Sequence, residues 1–384
     1  MPRCPTGQNR MKICIFLRVL WPGGVQRIAF AEAEQLMMLG HTVDLVFLRD
    51  TGREKYNTTM IYRCLHDASV NKRLLGSLFG FITRRYASER GSDATVDLDL
   101  ILNFERTREP YDVILYFDQQ AAFFAKHGQR KNHDRYVVHI FETKLNGPEG
   151  LIPHYVERRV LKHASAIITD AEFVKDVLTR NGFDNVFTLY PGLSIQSLVP
   201  TFMERENFAI SVTMWDKGRK PEVLLEIAKC LRTVKIIIAG NWADSDYLKS
   251  FSELVRNEGL QDKVEVTGSI SESDLQHLYQ KCKVAIRFGY NEAGPGMGSL
   301  EAISHGIPLI INSGIGIKEV VSNNVNCFIV DEQNPQIVAD VIEELSHNQL
   351  LWDKISESEK ELAKSLSWEG HGLKLEKILK DVVG

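Results

Sequence analysis

In the stretch NEAGPGMGSLEA, residues 291–302, Gly294, Pro295, Gly296 and Gly298 lie between Glu292 and Glu301. The apolar run KVAIRF precedes it and ISHGIPLII follows. Glycines at this density let a backbone approach a ligand closely and turn its N–H groups outward. A helix pattern beginning near Ser299 adds the positive end of its dipole, so the turn suits an anion. Gly296, Met297 and Gly298 would present the amides, with Glu292 and Glu301 as the neighbouring carboxylates. A second turn, WPGGVQRI, sets Gly23 and Gly24 between a strand pattern and a helix pattern, a helix start whose free amides suit an anion, so both are binding candidates. It is not G-x-G-x-x-G, which argues against a nicotinamide-dinucleotide fingerprint. Either turn alone is equally what an ordinary strand-to-helix connection requires, and a loop glutamate alone is usually a solvated one.

Other candidates are single side chains. His139, in YVVHIF, stands near the carboxyl end of a strand pattern, where it is either a buried core histidine or a site residue. TMWDKGRKPEVLL places Lys217, Arg219 and Lys220 at a helix start. Cations there oppose the helix dipole, so they are either plain surface charges or the partners of an anion. Two Asp-x-Asp triplets occur, at Asp97–Asp99 and Asp244–Asp246. The first alternates with leucines and the second reads as a capped helix start, so no metal is expected. Neither a G-x-S-x-G elbow nor a P-loop is present.

These residues need a scaffold, and the text supplies one twice over. KICIFLR, TVDLVFL, DVILYF, YVVHIF, SAIIT and VFTLY form a first series of strand candidates. FAISVTM, VKIIIA, KVEVT, KVAIRF, IPLII and NCFIV form a second. Helix patterns separate them, as in PGGVQRIAFAEAEQLMMLG, which is apolar at helical spacing and stops at Gly40. Short apolar strands alternating with helices predict parallel sheets covered on both faces. YPGLSIQSLVPTFMEREN, irregular and carrying two prolines, reads as the hinge between them. Ligands of open α/β sheets bind at the carboxyl ends of the strands, the end where both glycine-rich turns fall. No internal repeat is visible, and region 50–110 is the least legible.

A chain of 384 residues is long enough for two domains, and 44% hydrophobic with 25% charged residues is ordinary globular composition. A net charge of −4 gives no global reason to expect nucleic acid. Cys4, Cys14, Cys64, Cys230, Cys282 and Cys327 show no ligand spacing, which suits reduced thiols in a cytoplasmic compartment. No run is long enough to span a membrane, and residues 1–10 read as a disordered tail without a secretory pattern. KRLLGSLFGFITRRY, residues 72–86, mixes Leu, Phe and Ile with Lys72, Arg73, Arg84 and Arg85. It fits either a core-facing helix with a solvated basic face or a peripheral contact with an anionic membrane.

Several of these stretches, in order, resemble one family. PGGVQRIAFAEAEQLMMLGHTVDLV resembles the opening of the group 1 (family 4) retaining glycosyltransferases. HASAIITDAEFVKDVLTRNGFDNVFTLYPGL is similar to the stretch closing their first domain, and the text from LQDKVEVTG to NCFIV resembles their donor-binding region. The likeness runs from Met11 onward and is weakest at 50–110. It implies the α/β GT-B architecture, two Rossmann-like parallel-sheet domains facing across a cleft. The expected boundaries are an acceptor domain at 11–195, a nucleotide-sugar donor domain at 196–366, and a C-terminal helix at 367–384 packing back on the first domain.

The resemblance also implies roles. Glu301 matches the glutamate that accepts from the nucleotide ribose, Glu292 its partner near the donor sugar, and His139 the histidine beside that sugar. Gly23 and Gly24, with Gly296, Met297 and Gly298, are donor-binding candidates. Glu292 and Glu301 are separated by one residue more than the family spacing. Where the family carries an arginine this chain has Thr213 or Met214, so Arg219 and Lys220 are expected to share the cationic role, with Lys217 as a substitute. The expected activity is retaining, metal-independent hexosyl transfer from a nucleoside-diphosphate sugar to a glycan, lipid-linked or small-molecule acceptor, without a separate cofactor. The alternatives are a nucleotide-sugar epimerase of the same fold and a catalytically inactive sugar-nucleotide-binding subunit. The expected location is cytoplasmic, including the inner face of the membrane.

Overall fold

The computed structural model of the chain describes residues 10–20, 23–50, 60–65, 101, 103–117, 122–123, 135–143, 145, 151–194, 196 and 198–384. The 72–86 segment, the Asp97–Asp99 triplet and nearly all of the expected N-terminal tail lie outside them. The chain divides into two units, Met1–Gly192 with Trp368–Gly384, and Leu193–Ser367.

Runs that are apolar on both faces become strands buried on both faces. In the first unit these are β1 (Lys12–Leu20), β2 (Thr42–Asp50), β3 (Tyr62–Cys64), β4 (Val113–Tyr116), β5 (Arg135–Ile140), β6 (Ala166–Thr169) and β7 (Val186–Thr188). They form one sheet in the order β3-β2-β1-β4-β5-β6-β7, and every pairing is parallel. Strands added from β1 run outward to one side and those from β4 to the other, so the strand order reverses between β1 and β4. The Gly24–Met38 helix leaves the carboxyl end of β1 with Gly23 as its N-cap. The C-terminal Trp368–Val383 helix packs on it, and Gly372 permits the approach: a Cβ there would lie 2.7 Å from Gln35 Cβ.

The second unit holds β8 (Glu206–Val212), β9 (Lys235–Ala239), β10 (Val264–Gly268), β11 (Cys282–Arg287), β12 (Leu309–Ile311) and β13 (Phe328–Ile329). All pair in parallel in the order β10-β9-β8-β11-β12-β13, with the reversal between β8 and β11. Its core lies on both sides of the sheet. One side centres on Leu224, Ile227, Phe251, Ile342 and Leu345, the other on Leu275, Tyr279, Leu300, Ile303 and Ile307. Asp244 caps the Ser245–Asn257 helix by accepting from the Asp246 amide at 2.8 Å, the structural role its triplet suggested. The described cysteines, Cys14, Cys64, Cys230, Cys282 and Cys327, are all free thiols.

Arg205, directly before β8, braces this unit. It is 5% exposed and donates to the carbonyls of Pro200, Tyr279, Cys282 and His305, while its guanidinium covers the Trp352 ring at 5.1 Å. One charged group thereby satisfies the ends of three separate segments. Arg205→Ala orphans those carbonyls, a loss of roughly 3 kcal/mol or more. The expected result is a thermal midpoint for this unit lower by roughly 6–12 °C, read by calorimetry; an unchanged midpoint would refute the bracing role.

Candidate active site

The glycine-rich turn joins β11 to the Met297–Ser304 helix at the point where the strand order of the second sheet reverses. The helix starts two residues before the expected Ser299, so the Met297 and Gly298 amides belong to its first turn, where no intrahelical carbonyl can take them. Gly296 is the N-cap at φ 72°, a conformation that a side chain would strain. Gly298 meets a different constraint: a Cβ there would sit 2.5 Å from the Val212 carbonyl oxygen at the end of β8. The loop itself is pinned to the segment after β12. Gly289 donates to Asn312 Oδ1 at 2.9 Å and Glu292 to the Gly314 carbonyl at 3.1 Å.

Charges converge on this turn from both neighbouring strands. Arg287, the last residue of β11, is 5% exposed, and its Nη2 donates to Glu292 Oε2 at 2.6 Å. Arg219 pairs with the other oxygen of the same carboxylate. Asp216 holds the Arg219 turn by accepting from its amide at 3.0 Å. Lys220 follows at φ 47°, a left-handed backbone unusual for lysine, and its ammonium lies 4.2 Å from the centre of the Tyr290 ring. Burial, and then the neighbouring Arg219, pull the Arg287 pKa down to about 9, which still leaves it charged at neutral pH.

Glu301 lies in the first turns of the helix and accepts from the Tyr279 hydroxyl at 3.0 Å. Tyr279 is buried and stacks on His305 with ring centres 5.1 Å apart, and Arg205 holds its carbonyl. The structure therefore brings Arg219, Lys220, Glu292, Gly296, Met297, Gly298 and Glu301 together at one edge of the second sheet. Arg287 and Tyr279 join them without having been singled out in the sequence. A charged residue ending a buried strand was the available signal for Arg287; Tyr279 gave none beyond its helical position.

Gly23, Gly24 and His139 belong to the first unit. His139 is 1% exposed near the end of β5, stacked on Phe141 at 4.4 Å and close to Phe117 at 4.7 Å. Among the described residues neither ring nitrogen has a hydrogen-bond partner; Nδ1 lies 3.5 Å from Glu32 Oε1. Glu32, fully buried on the Gly24–Met38 helix, is held by His371 Nε2 at 2.9 Å. The other nitrogen of His371 faces the Tyr190 carbonyl at 2.8 Å. Both nitrogens of that ring thus face oxygen acceptors. Burial pushes the His139 pKa down to about 4, against the pull of Glu32, and the ring is neutral at pH 7. Among the described residues no group of three or more His, Cys, Asp or Glu could hold a metal ion, and no helix is long and apolar enough to cross a membrane.

Comparison with known proteins matches residues 22–197 to the family model Glycosyltransferase Family 4 and residues 198–363 to Glycosyl transferases group 1. An uncharacterized glycosyltransferase of Methanocaldococcus jannaschii, MJ1178, is 23% identical over 60% of this chain and 67% of its own. The alpha-monoglucosyldiacylglycerol synthase of Streptococcus pneumoniae is 22% identical over 82% of this chain and 74% of its own. A second M. jannaschii glycosyltransferase, MJ1607, is matched over only 65% of its length. Among solved structures, Anabaena HepE in complex with UDP and glucose superposes with a TM-score of 0.74 at 17% identity, over 97% of this chain and 100% of that one. Sucrose-phosphate synthase of Thermosynechococcus elongatus gives 0.75 at 14% identity, over 97% and 99%. These superpositions, with two parallel-sheet units, show the GT-B fold.

The lowered His139 pKa has a consequence for stability. The unfolded ring takes a proton near pH 6.5, whereas the folded ring resists it down to about 4. Stability therefore falls as pH drops through this window, by roughly 3 kcal/mol at most. His139→Phe should remove that part of the pH dependence in denaturant titrations, and the His139 ring should show no protonation by NMR above pH ~5. A ring midpoint near its ordinary value would overturn the assignment.

Proposed function

The chain belongs to the group 1, family 4 glycosyltransferases, and we propose that it is a retaining hexosyltransferase using a nucleoside-diphosphate sugar without a metal. One observation carries this reading. The loop after β8 brings Arg219 and Lys220 beside the glycine-rich helix start that follows β11, where a diphosphate would meet both side-chain cations and backbone amides. The HepE complexes with UDP, UDP-glucose, and UDP with glucose support a nucleotide-sugar donor.

On this reading the anomeric carbon–oxygen bond to the diphosphate breaks and a bond to the acceptor oxygen forms on the same face of the sugar. The acceptor's proton passes to the departing phosphate oxygen. The protein's task is to stabilise the charge that grows on the diphosphate, which Arg219, Lys220 and the Met297 and Gly298 amides do from fixed positions. Their cationic charge takes the part that a divalent ion plays in other transferases. Glu301 accepts from the ribose hydroxyls while Tyr279 occupies one of its oxygens. His139, neutral and without a hydrogen-bond partner among the described residues, suits hydrogen bonding to a sugar hydroxyl better than offsetting charge. The names of two relatives, the alpha-monoglucosyldiacylglycerol synthase and a D-inositol 3-phosphate glycosyltransferase of Corynebacterium urealyticum, support a lipid or small polar acceptor.

A panel of nucleoside-diphosphate sugars in a thermal-shift assay identifies the donor, since a ligand that binds only the folded chain raises its midpoint. Following released nucleotide, epimerised donor and glycosylated acceptor then separates transfer from the epimerase and binding-only alternatives. A panel with no binder would sink the reading. Glu301→Ala should weaken nucleotide binding by about 2–3 kcal/mol, roughly 30–150-fold, with the fold intact. Replacing Arg219 and Lys220 together by Gln should lower turnover at least tenfold while moving the melting midpoint little; equal turnover would show that the charge comes from elsewhere.

A further inference from the structure

We propose that Arg287 is itself a donor-binding residue: with Arg219 it grips the diphosphate, which displaces Glu292 from the two guanidinium groups. The inference rests on the donor reading above and gives a role to a buried charge of that edge to which the mechanism assigns none.

Position is the first argument. Arg287 ends β11, next to β8 at the reversal of strand order, where an open α/β sheet presents its ligand. Thr213 and Met214, directly after β8, carry no charge, so the cations of this edge come from the following turn and from β11. The Cβ direction of Gly296 points at the Arg287 guanidinium, 3.7 Å from both Nε and Nη2. The buried cation therefore lies within contact distance of the same helix start whose amides would face an anion.

Charge balance is the second. Two arginines share the single carboxylate of Glu292, with side-chain exposures of 27% for Arg219, 6% for Arg287 and 15% for Glu292. Lys220 and the helix dipole add to the same sign. Sharing one carboxylate between two guanidinium groups in a poorly solvated place pairs each of them only in part, and a buried charge is costly unless paired. A diphosphate brings more negative charge than Glu292 and more acceptor oxygens, so it competes for both guanidinium groups.

Geometry makes the exchange feasible. One arm of Arg287 is anchored on the Phe288 carbonyl and only the Nη2 arm is committed to Glu292. Releasing the carboxylate leaves the guanidinium oriented, and its planar fork suits phosphate oxygens as an ammonium would not. The Glu292 loop is also held by its own backbone amide on the Gly314 carbonyl, so its anchoring does not depend on the carboxylate alone.

The test uses inorganic pyrophosphate, which carries no base or sugar, and UDP as a second probe, both by isothermal titration on the full chain. Arg287→Gln should weaken pyrophosphate binding at least tenfold, and Arg287→Lys should fall between it and the parent. Glu292→Gln should tighten it several-fold, because the competing anion is gone. Should Arg287→Gln fail to fold with Glu292 left unpaired, Arg287→Gln/Glu292→Gln removes the pair as a unit and is expected to bind at least tenfold more weakly than Glu292→Gln. Pyrophosphate binding by the double variant equal to that of Glu292→Gln overturns the proposal, as does weaker binding by Glu292→Gln than by the parent. UDP binding that collapses in Glu301→Ala yet ignores Arg287 sinks this inference and leaves the donor reading standing. A parent chain that binds neither pyrophosphate nor UDP, GDP or ADP sinks both.

Discussion

The carbonyl oxygen of Val212 lies where a side chain at position 298 would have to go, 2.5 Å from the Cβ that Gly298 lacks. That contact sets the Met297–Ser304 helix directly on the end of β8, and the rest of the site follows from it. Once the helix start is fixed, Gly296 must turn the chain at positive φ and Glu301 must emerge one turn later beside Tyr279. The same backbone-on-backbone approach recurs around the loop. A Cβ at Gly314 would meet the Gly289 carbonyl at 2.2 Å, and one at Gly316 would overlap that of Ala293. Amides aimed at an anion gain their strength from being held before it arrives, and these contacts do the holding.

Much of the scaffold was legible because its signals are local. All twelve strand patterns became strands; the thirteenth, β3, escaped because YRC is three residues at a sheet edge with an exposed arginine in the middle. Edge strands pair on one side only and need no apolar run to exist. The turn residues of the site were readable for the same reason: glycines at a strand-to-helix junction announce a backbone requirement wherever they occur. Its side-chain partners were not. Tyr279 reaches Glu301 from another helix, and His371 reaches Glu32 across 339 residues, so neither pair leaves a trace in spacing.

Arg287 shows why a strand pattern can hide a site residue. KVAIRF is apolar enough to be read as core, and a lone arginine at its end looks like the strand meeting water. In the structure it does not meet water. The loop folds back so that Glu292 covers it, and the charge is buried by residues that follow it in the chain. Arg219, from a different loop, completes the arrangement. A one-dimensional pattern records polarity but not which later segment will pair with it.

Burial acts in the same direction on two enclosed basic side chains near the carboxyl ends of strands, His139 and Arg287, and residue type decides what results. At His139 desolvation lowers the pKa from 6.5 to about 4, and at Arg287 desolvation, with the neighbouring Arg219, lowers it to about 9. The histidine crosses neutrality and loses its charge; the arginine stays well above it and keeps its own. A lysine at 287 begins lower, so an equal shift would bring it near neutrality and make its charge depend on pH. A diphosphate leaving group needs a cation that survives burial, whereas a sugar hydroxyl needs a partner that can donate or accept without charge. On the proposed mechanism each requirement is met by the side chain whose intrinsic pKa tolerates the same desolvation in the required way.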